Sequence, residues 1–400
     1  MANYYIGRQP IFDANLDLFA YELLFRDTAS DSANVVCGEV ATSQVIVNTL
    51  TEIGIDNLVG PHKVFLNLTE HFITRPDLIL FEPDKTVLEI LENVEASEEI
   101  IAGVQALRDK GYTIALDDFV YRPDLEPLIE LADMIKIDIS LLDDATLRET
   151  VARIKQAGKK LLAEKVETFD QFEQLKTMDF DFYQGYFFAK PNVISGKKIP
   201  GNQLSLMELA TKIHQPDIDI DELHDLVSVD IALSVKALRF ANSAQNGLRN
   251  EVVSLKQAIT LLGLATLKNW VAILLMADID EKPTELVTLA LIRARMCQLL
   301  AQEAEIEKPE NFFTVGLFSV LDALLDSDME SILESLPLQK ELSEALISHT
   351  GAHGSALECA MSMEIADSDA ASFCDIEAPV INDIYLSALK WADESRQTLH

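Results

Sequence analysis

The chain has 400 residues, 48% of them hydrophobic, and its 32 Lys and Arg stand against 66 Asp and Glu, a formal net charge of −34. That length exceeds one ordinary core, so two domains are expected; acid exceeds base in both halves, 34 to 19 over residues 1–200 and 32 to 13 over residues 201–400, which leaves no basic face for direct nucleic-acid binding. No apolar run reaches membrane-spanning length, the start MANYYIGRQPIFD carries no leader pattern, and Cys37, Cys297, Cys359 and Cys374 form no C-x-x-C pair, so a reduced, cytoplasmic chain without membrane insertion is expected.

In chain order, the first strand-like run is Phe19–Arg26, which passes through Glu22 and ends on Arg26. Gly38 to Gly54 reads as a helix, with Val40, Val45, Ile46 and Leu50 at helical spacing. Strands follow at Val64–Thr69, through Asn67, and at Thr86–Glu92, through Glu89. A helix over Ser97–Lys110, stopped by Gly111, leads into Ile114-Ala115-Leu116-Asp117-Asp118, an apolar strand ending in two acids. Then come a strand at Met134–Ile139 through Lys136 and Asp138, and a helix over Ala145–Gln156 closed by Gly158. They are followed by a strand at Lys160–Val166 through Glu164, a helix over Phe169–Thr177 and a last strand through Gln184-Gly185-Tyr186. Alternating strands and helices predict a parallel sheet, here long enough to close into a (β/α) barrel.

An isolated Asp-Asp pair is most simply a helix cap. Six polar or acidic strand ends in succession change that reading, because in a (β/α) barrel these ends share one face. Their oxygen donors suit Mg²⁺ or Mn²⁺ rather than zinc, and no His or Cys lies among them.

Gln9-Pro10-Ile11, YELLFR, FLNLT, LEILE, LDDF, IKIDIS, LAEKVET and YQGYFFAKP occur in this order over the first 195 residues. Together they resemble the EAL family of cyclic di-GMP phosphodiesterases. The resemblance implies a TIM-like barrel with a two-metal site, the metals held by Glu22, Asn67, Glu89, Asp117, Asp118 and Glu164, with Asp117 bridging. It implies a charge clamp at Lys136 on the attacking water and phosphate, with Glu164 and Asp118 sharing the catalytic role. Gln9, Arg26 and Gln184 would contact the nucleotide, and Glu167 would steady the site from behind. Two Mg²⁺ or Mn²⁺ ions would activate water and hydrolyse cyclic di-GMP to linear pGpG.

This chain departs from the family directly after the two aspartates. Active members continue DDFGTGYSSL; here the run is DDFVYRPDLE, and Val120 and Pro123 cannot follow a glycine-built path. Lys165 replaces the glycine of AEGVET and would set a cation beside Glu164. Slow or partner-dependent hydrolysis, binding without hydrolysis, and a scaffold acting only through protein contacts therefore all stay open.

Residues 192–202 read as a linker between domains at 1–195 and 196–400. Beyond Leu204 the periodicity is helical throughout. Leu238–Gly247 and Val253–Leu264 resemble the HDOD family, an all-helical relative of the HD phosphohydrolases, so the fold class is α/β plus all-α. Ser319 and Val320 stand where the parent enzymes carry His-Asp, which implies a non-catalytic domain for contacts with a protein partner, with a homodimer open. His349 and His353 are expected one helical turn apart across Gly351, which would suit a metal pair, but there is no third ligand in the sequence, and helix-end histidines satisfied by solvent or backbone are the simpler reading.

Overall fold

The computed structural model describes residues 4–27, 54–190, 209, 212–213, 218–228, 231–242, 252, 254–277, 282–334, 338–367 and 370–399. The expected helix Gly38–Gly54 (up to Gly54 itself), Cys37, the 192–202 linker, residues 243–250 and the side chain of Arg26 lie outside the described residues. Contacts divide the chain into Met1–Phe188 with Glu364–Ala366, and Ala189–Met363 with Asp367–His400.

In the first unit, β1 (Tyr4–Asp13), β2 (Leu18–Asp27), β3 (Lys63–Leu68), β4 (Thr86–Ile90), β5 (Thr113–Leu116), β6 (Met134–Asp138), β7 (Lys160–Glu164) and β8 (Phe182–Gln184) close a barrel in sequence order. From β2 to β8 all neighbours are parallel, but β1 is antiparallel to both β2 and β8. The uniformly parallel sheet expected from the sequence is thus corrected at its first strand. A connection too short for a crossover can only join antiparallel strands. Here Asp13 Oδ1 accepts from the amides of Asn15 and Asp17 at 2.8 and 3.0 Å, with Leu16 turning at φ 65°. Gly7 and Pro10 break the alternation that would have marked β1 as a strand.

The helices between strands begin where the sequence offers side-chain oxygens. Ser97 accepts from the amide of Ile100, Asp143 from that of Thr146, and Thr168 forms a reciprocal capping box with Gln171. Inside the barrel, Ile11, Ala20, Phe65, Val87, Ala115, Met134, Leu162 and Phe182 form one apolar cluster, one residue from each strand. This plug closes the barrel beneath the strand ends.

The second unit, among the described residues, contains helices and turns and no strand, as the periodicity predicts. Helix Thr284–Glu303 is buried around most of its circumference and packs against helices Pro309–Phe318 and Ala378–Leu399. Gly316 permits that approach, since a Cβ there would stand 2.5 Å from the backbone of Arg293 and Ala294. Asn242 closes the end of helix Ile231–Ala241: its Nδ2 donates to the carbonyl of Val252 at 2.8 Å, and its Oδ1 accepts from the Val252 amide at 2.7 Å. Among the described residues no helix is long and apolar enough to cross a membrane.

Candidate functional site

Side chains two residues apart on a strand face the same side. Two residues beyond the apolar plug stand Glu22 on β2, Asn67 on β3, Glu89 on β4, Asp117 at the end of β5, Lys136 on β6, Glu164 on β7 and Gln184 on β8. On the reversed β1 the same step runs backwards, from Ile11 to Gln9, whose register partner is Glu22. Eight strands therefore deliver eight polar residues to one interior layer, all of them on the list drawn from the sequence.

Lys136 sits at the centre and is fully buried. Its Nζ lies 2.6 Å from Glu89 Oε1, 2.7 Å from Asp117 Oδ1, 3.0 Å from Glu164 Oε1 and 3.2 Å from Glu22 Oε2. Gln184 Nε2 donates to Glu22 Oε2 at 2.7 Å and to Gln9 Oε1 at 3.0 Å, and Asn67 Nδ2 donates to Glu22 Oε1 at 3.3 Å. Four carboxylates against one ammonium leave three uncompensated negative charges on full ionisation.

The electrostatics follow from that imbalance. Burial opposes the charge of Lys136, but Glu89, Glu22, Glu164 and Asp117 outweigh it and hold the ammonium well above its ordinary range. Burial also opposes ionisation of Glu22, yet Lys136 and the bonds from Gln184 and Asn67 keep its carboxyl below the usual value. Glu89 is pushed well up by burial and the neighbouring Glu22. Asp117 is raised chiefly by burial, and Glu164 is pushed up to about 8 by burial and by the charges of Asp117 and Glu22 against the pull of Lys136.

The donor set is all oxygen, as a hard divalent ion requires. Glu89 Oε2 and Glu164 Oε2 are buried and accept no hydrogen bond among the described residues, so both carboxylates retain lone pairs for a cation. As they stand, no three acidic, His or Cys side chains among the described residues converge on a vacant point, because Lys136 takes the common centre. The residues fit the ion by chemistry and by surplus charge.

The remaining expected positions divide. Asp118 follows Asp117 at the mouth in a left-handed conformation, φ 40°. Gln184 donates to both Gln9 and Glu22, so the amide group of Gln184 and the Oε1 of Gln9 are engaged with each other. Glu167 is exposed, its amide donating to Gln171 Oε1 at 2.8 Å. Lys165 adopts φ 56°, the conformation its glycine counterpart would take freely, and its ammonium bonds to buried Asp138 rather than to Glu164. Asp138 also accepts from the amide and hydroxyl of Ser140, at 2.8 and 2.6 Å. Sequence reasoning saw Asp138 in the IKID run and gave it no role; its offset of two from Lys136, on the same face, was the available signal. The loop after Asp118 is fixed by Tyr121, whose hydroxyl donates to Glu126 Oε1 at 3.0 Å while the Arg153 guanidinium covers its ring at 3.9 Å.

In the second unit, Ser319 Oγ donates to the Gly316 carbonyl at 2.8 Å and accepts from Arg293 Nη1 at 3.3 Å, and Val320 is buried. Both residues serve packing. His349 ends helix Lys340–Ser348 at φ 51°, whereas His353 belongs to helix Gly351–Glu364 with its ring 4.2 Å from that of Phe312. Their spacing of four is therefore not one helical turn.

The EAL domain model matches residues 39–191 and the HDOD domain model residues 199–346. The uncharacterized protein YuxH of Bacillus subtilis (strain 168) is 32% identical over 398 residues, 97% of each chain. Cyclic di-GMP phosphodiesterase CdgJ of Vibrio cholerae is 35% identical over 368 residues, 91% of this chain and 85% of that one. Among solved structures, the c-di-GMP-bound form of a standalone EAL protein from Vibrio cholerae O395 aligns over 47% of this chain and 92% of its own, at 21% identity and a TM-score of 0.39.

Proposed function

The chain belongs to the EAL–HDOD family, and from that premise we propose that it binds cyclic di-GMP at the barrel mouth through divalent cations and hydrolyses it to linear pGpG. One observation carries the reading: eight strands each place a polar residue in one interior layer, four of them carboxylates around a single ammonium. The name of the Vibrio cholerae relative, matched over most of both chains, supplies the substrate.

Glu22, Asn67, Glu89, Asp117, Asp118 and Glu164 would hold Mg²⁺ or Mn²⁺. Bound there, the cations supply positive charge against the phosphoryl oxygens and lower the pKa of water. Lys136 keeps its proton at all physiological pH, so it serves as a fixed charge that orients Glu89, Asp117 and Glu164, and not as a base. Gln184 and Asn67 hold Glu22 from both sides. The helical domain contributes contacts to a protein partner and no chemistry, its Ser319 and Val320 being committed to packing.

A second reading, binding without turnover, is favoured by one observation: the loop after Asp118 is held by Tyr121, which bonds to Glu126 and lies under Arg153, in place of the family's glycine-rich run. One experiment separates the two. The full chain is incubated with cyclic di-GMP and Mn²⁺ and linear pGpG is followed, with calorimetric titration under Ca²⁺ in parallel. Product formation that Glu22→Ala abolishes supports hydrolysis, and binding without product supports the second reading. A chain that neither binds nor hydrolyses the nucleotide contradicts both.

A further inference from the structure

Lys165 stands directly after Glu164, and a residue in that place on a regular strand would turn its side chain out of the barrel. Here a φ of 56° turns it back. The backbone on either side is held: Glu164 is paired in register with Asp138, while the Val166 amide donates to the Gln184 carbonyl at 3.0 Å and the Val166 carbonyl accepts from the Phe187 amide at 3.2 Å. Gly185 leaves room for that segment, since a Cβ there would stand 2.1 Å from the Val166 carbonyl oxygen. A long, flexible cation is thus fixed at the barrel mouth, one residue from an expected metal ligand.

What holds this cation is Asp138, the register partner of Glu164 and, two residues beyond Lys136, on the same interior face. Its two oxygens have separate tasks: Oδ1 accepts from the amide and hydroxyl of Ser140, at 2.8 and 2.6 Å, and Oδ2 accepts from the Lys165 ammonium. The side chain of Asp138 is 1% exposed and that of Lys165 59%, so the lysine stem reaches in from solvent. Beyond Asp138, the charges of Asp118 and Glu164 act on the same ammonium. Both are expected cation ligands, and Glu164 Oε2 accepts no hydrogen bond among the described residues. Adjacent Cα atoms stand only about 3.8 Å apart, so a released Lys165 has the Glu164 carboxylate within reach of its four-carbon stem. There it would take one of the three uncompensated negative charges that draw in a divalent ion. We propose that Asp138 is a positioning residue that sequesters Lys165, keeping the ammonium off Glu164 and Asp118 and the cation site open. The inference rests on the functional reading above and deepens it: the lysine that replaces the family's glycine is accommodated because a carboxylate on the neighbouring strand engages it.

Calorimetric titration of Mn²⁺ into the full chain tests this without recourse to turnover. Asp138→Asn keeps the acceptor for Ser140 and sets an amide in place of the oxygen that faces Lys165, so it is expected to weaken Mn²⁺ binding by roughly 10- to 100-fold. Adding Lys165→Gly removes the competing ammonium at a position whose left-handed backbone glycine takes freely, and the double variant is expected to recover wild-type affinity. Lys165→Gly alone is expected to bind Mn²⁺ at least as tightly as the wild type. Wild-type affinity in Asp138→Asn would overturn the proposal while leaving the functional reading standing. So would a double variant as weak as Asp138→Asn, which would assign Asp138 to the Ser140 turn, and so would a Lys165→Gly variant equally weak, which would make the ion pair a brace that the site requires. A wild type that takes up no Mn²⁺ would defeat the functional reading and the proposal with it.

Discussion

Removing the ammonium of Lys136 leaves Glu22, Glu89, Asp117 and Glu164 facing one another without a counter-charge. Breaking a buried ion pair on one side costs about 3–5 kcal/mol, so Lys136→Met is expected to lose that much in denaturant unfolding at pH 8 without divalent ions. At pH 5 the raised carboxylates hold protons, the repulsion falls, and the loss should be smaller. Equal losses at both pH values would contradict the charge imbalance read here. The wild type carries the same signature with its own sign. Glu164 has its folded pKa raised to about 8 from 4.5, so between these values the folded chain holds the proton more tightly than the unfolded one. Its contribution is complete below about pH 4.5 and is lost as pH rises towards 8. The ion-free protein should therefore melt lower at pH 8 than at pH 5.5, and saturating Mn²⁺ should restore more at the higher pH; a midpoint that rises over that window would contradict the assignment.

At the scale of elements, the barrel was legible where apolar alternation ran straight into an acid, as in Ile114–Asp118 and Lys160–Glu164. It was illegible at β1, where Gly7 and Pro10 interrupt the pattern and only the tight turn at Asp13–Asp17 reveals a hairpin. Gln9 was found, but its place was not: reversal of β1 sets it against Gln184. Lys165 was visible as a bulky cation next to Glu164, yet its left-handed backbone sends the ammonium to Asp138, a matter of torsion that residue order does not encode. In the helical unit, Gly316 marks a helix crossing rather than a turn. Gly316→Val would drive a side chain into the backbone of Arg293 and Ala294, at an expected cost on the order of 3 kcal/mol. Thermal unfolding indistinguishable from wild type would refute that close packing.

For the whole molecule, a net charge of −34 dominates behaviour at long range. Salt raised from about 0.01 M to about 0.15 M shortens the screening length from about 30 Å to about 8 Å. Self-repulsion weakens accordingly, and the melting midpoint is expected to rise; a midpoint that falls would mean that specific ion pairs outweigh the net charge. On the proposed function, the same acidity offers divalent ions a barrel mouth without a basic surface to repel them, and recognition of an anionic nucleotide would fall to those ions and to single arginines. Everything functional then depends on the interior layer of oxygen donors acting as one cation site. The most direct measurement is calorimetric titration of Mn²⁺ into the full chain in two buffers of different ionisation enthalpy, for the wild type and for Glu89→Gln and Asp117→Asn. The account predicts that the wild type binds Mn²⁺ with release of protons and that each variant loses most of that binding; variants that take up Mn²⁺ as the wild type does, with the same proton release, would contradict it.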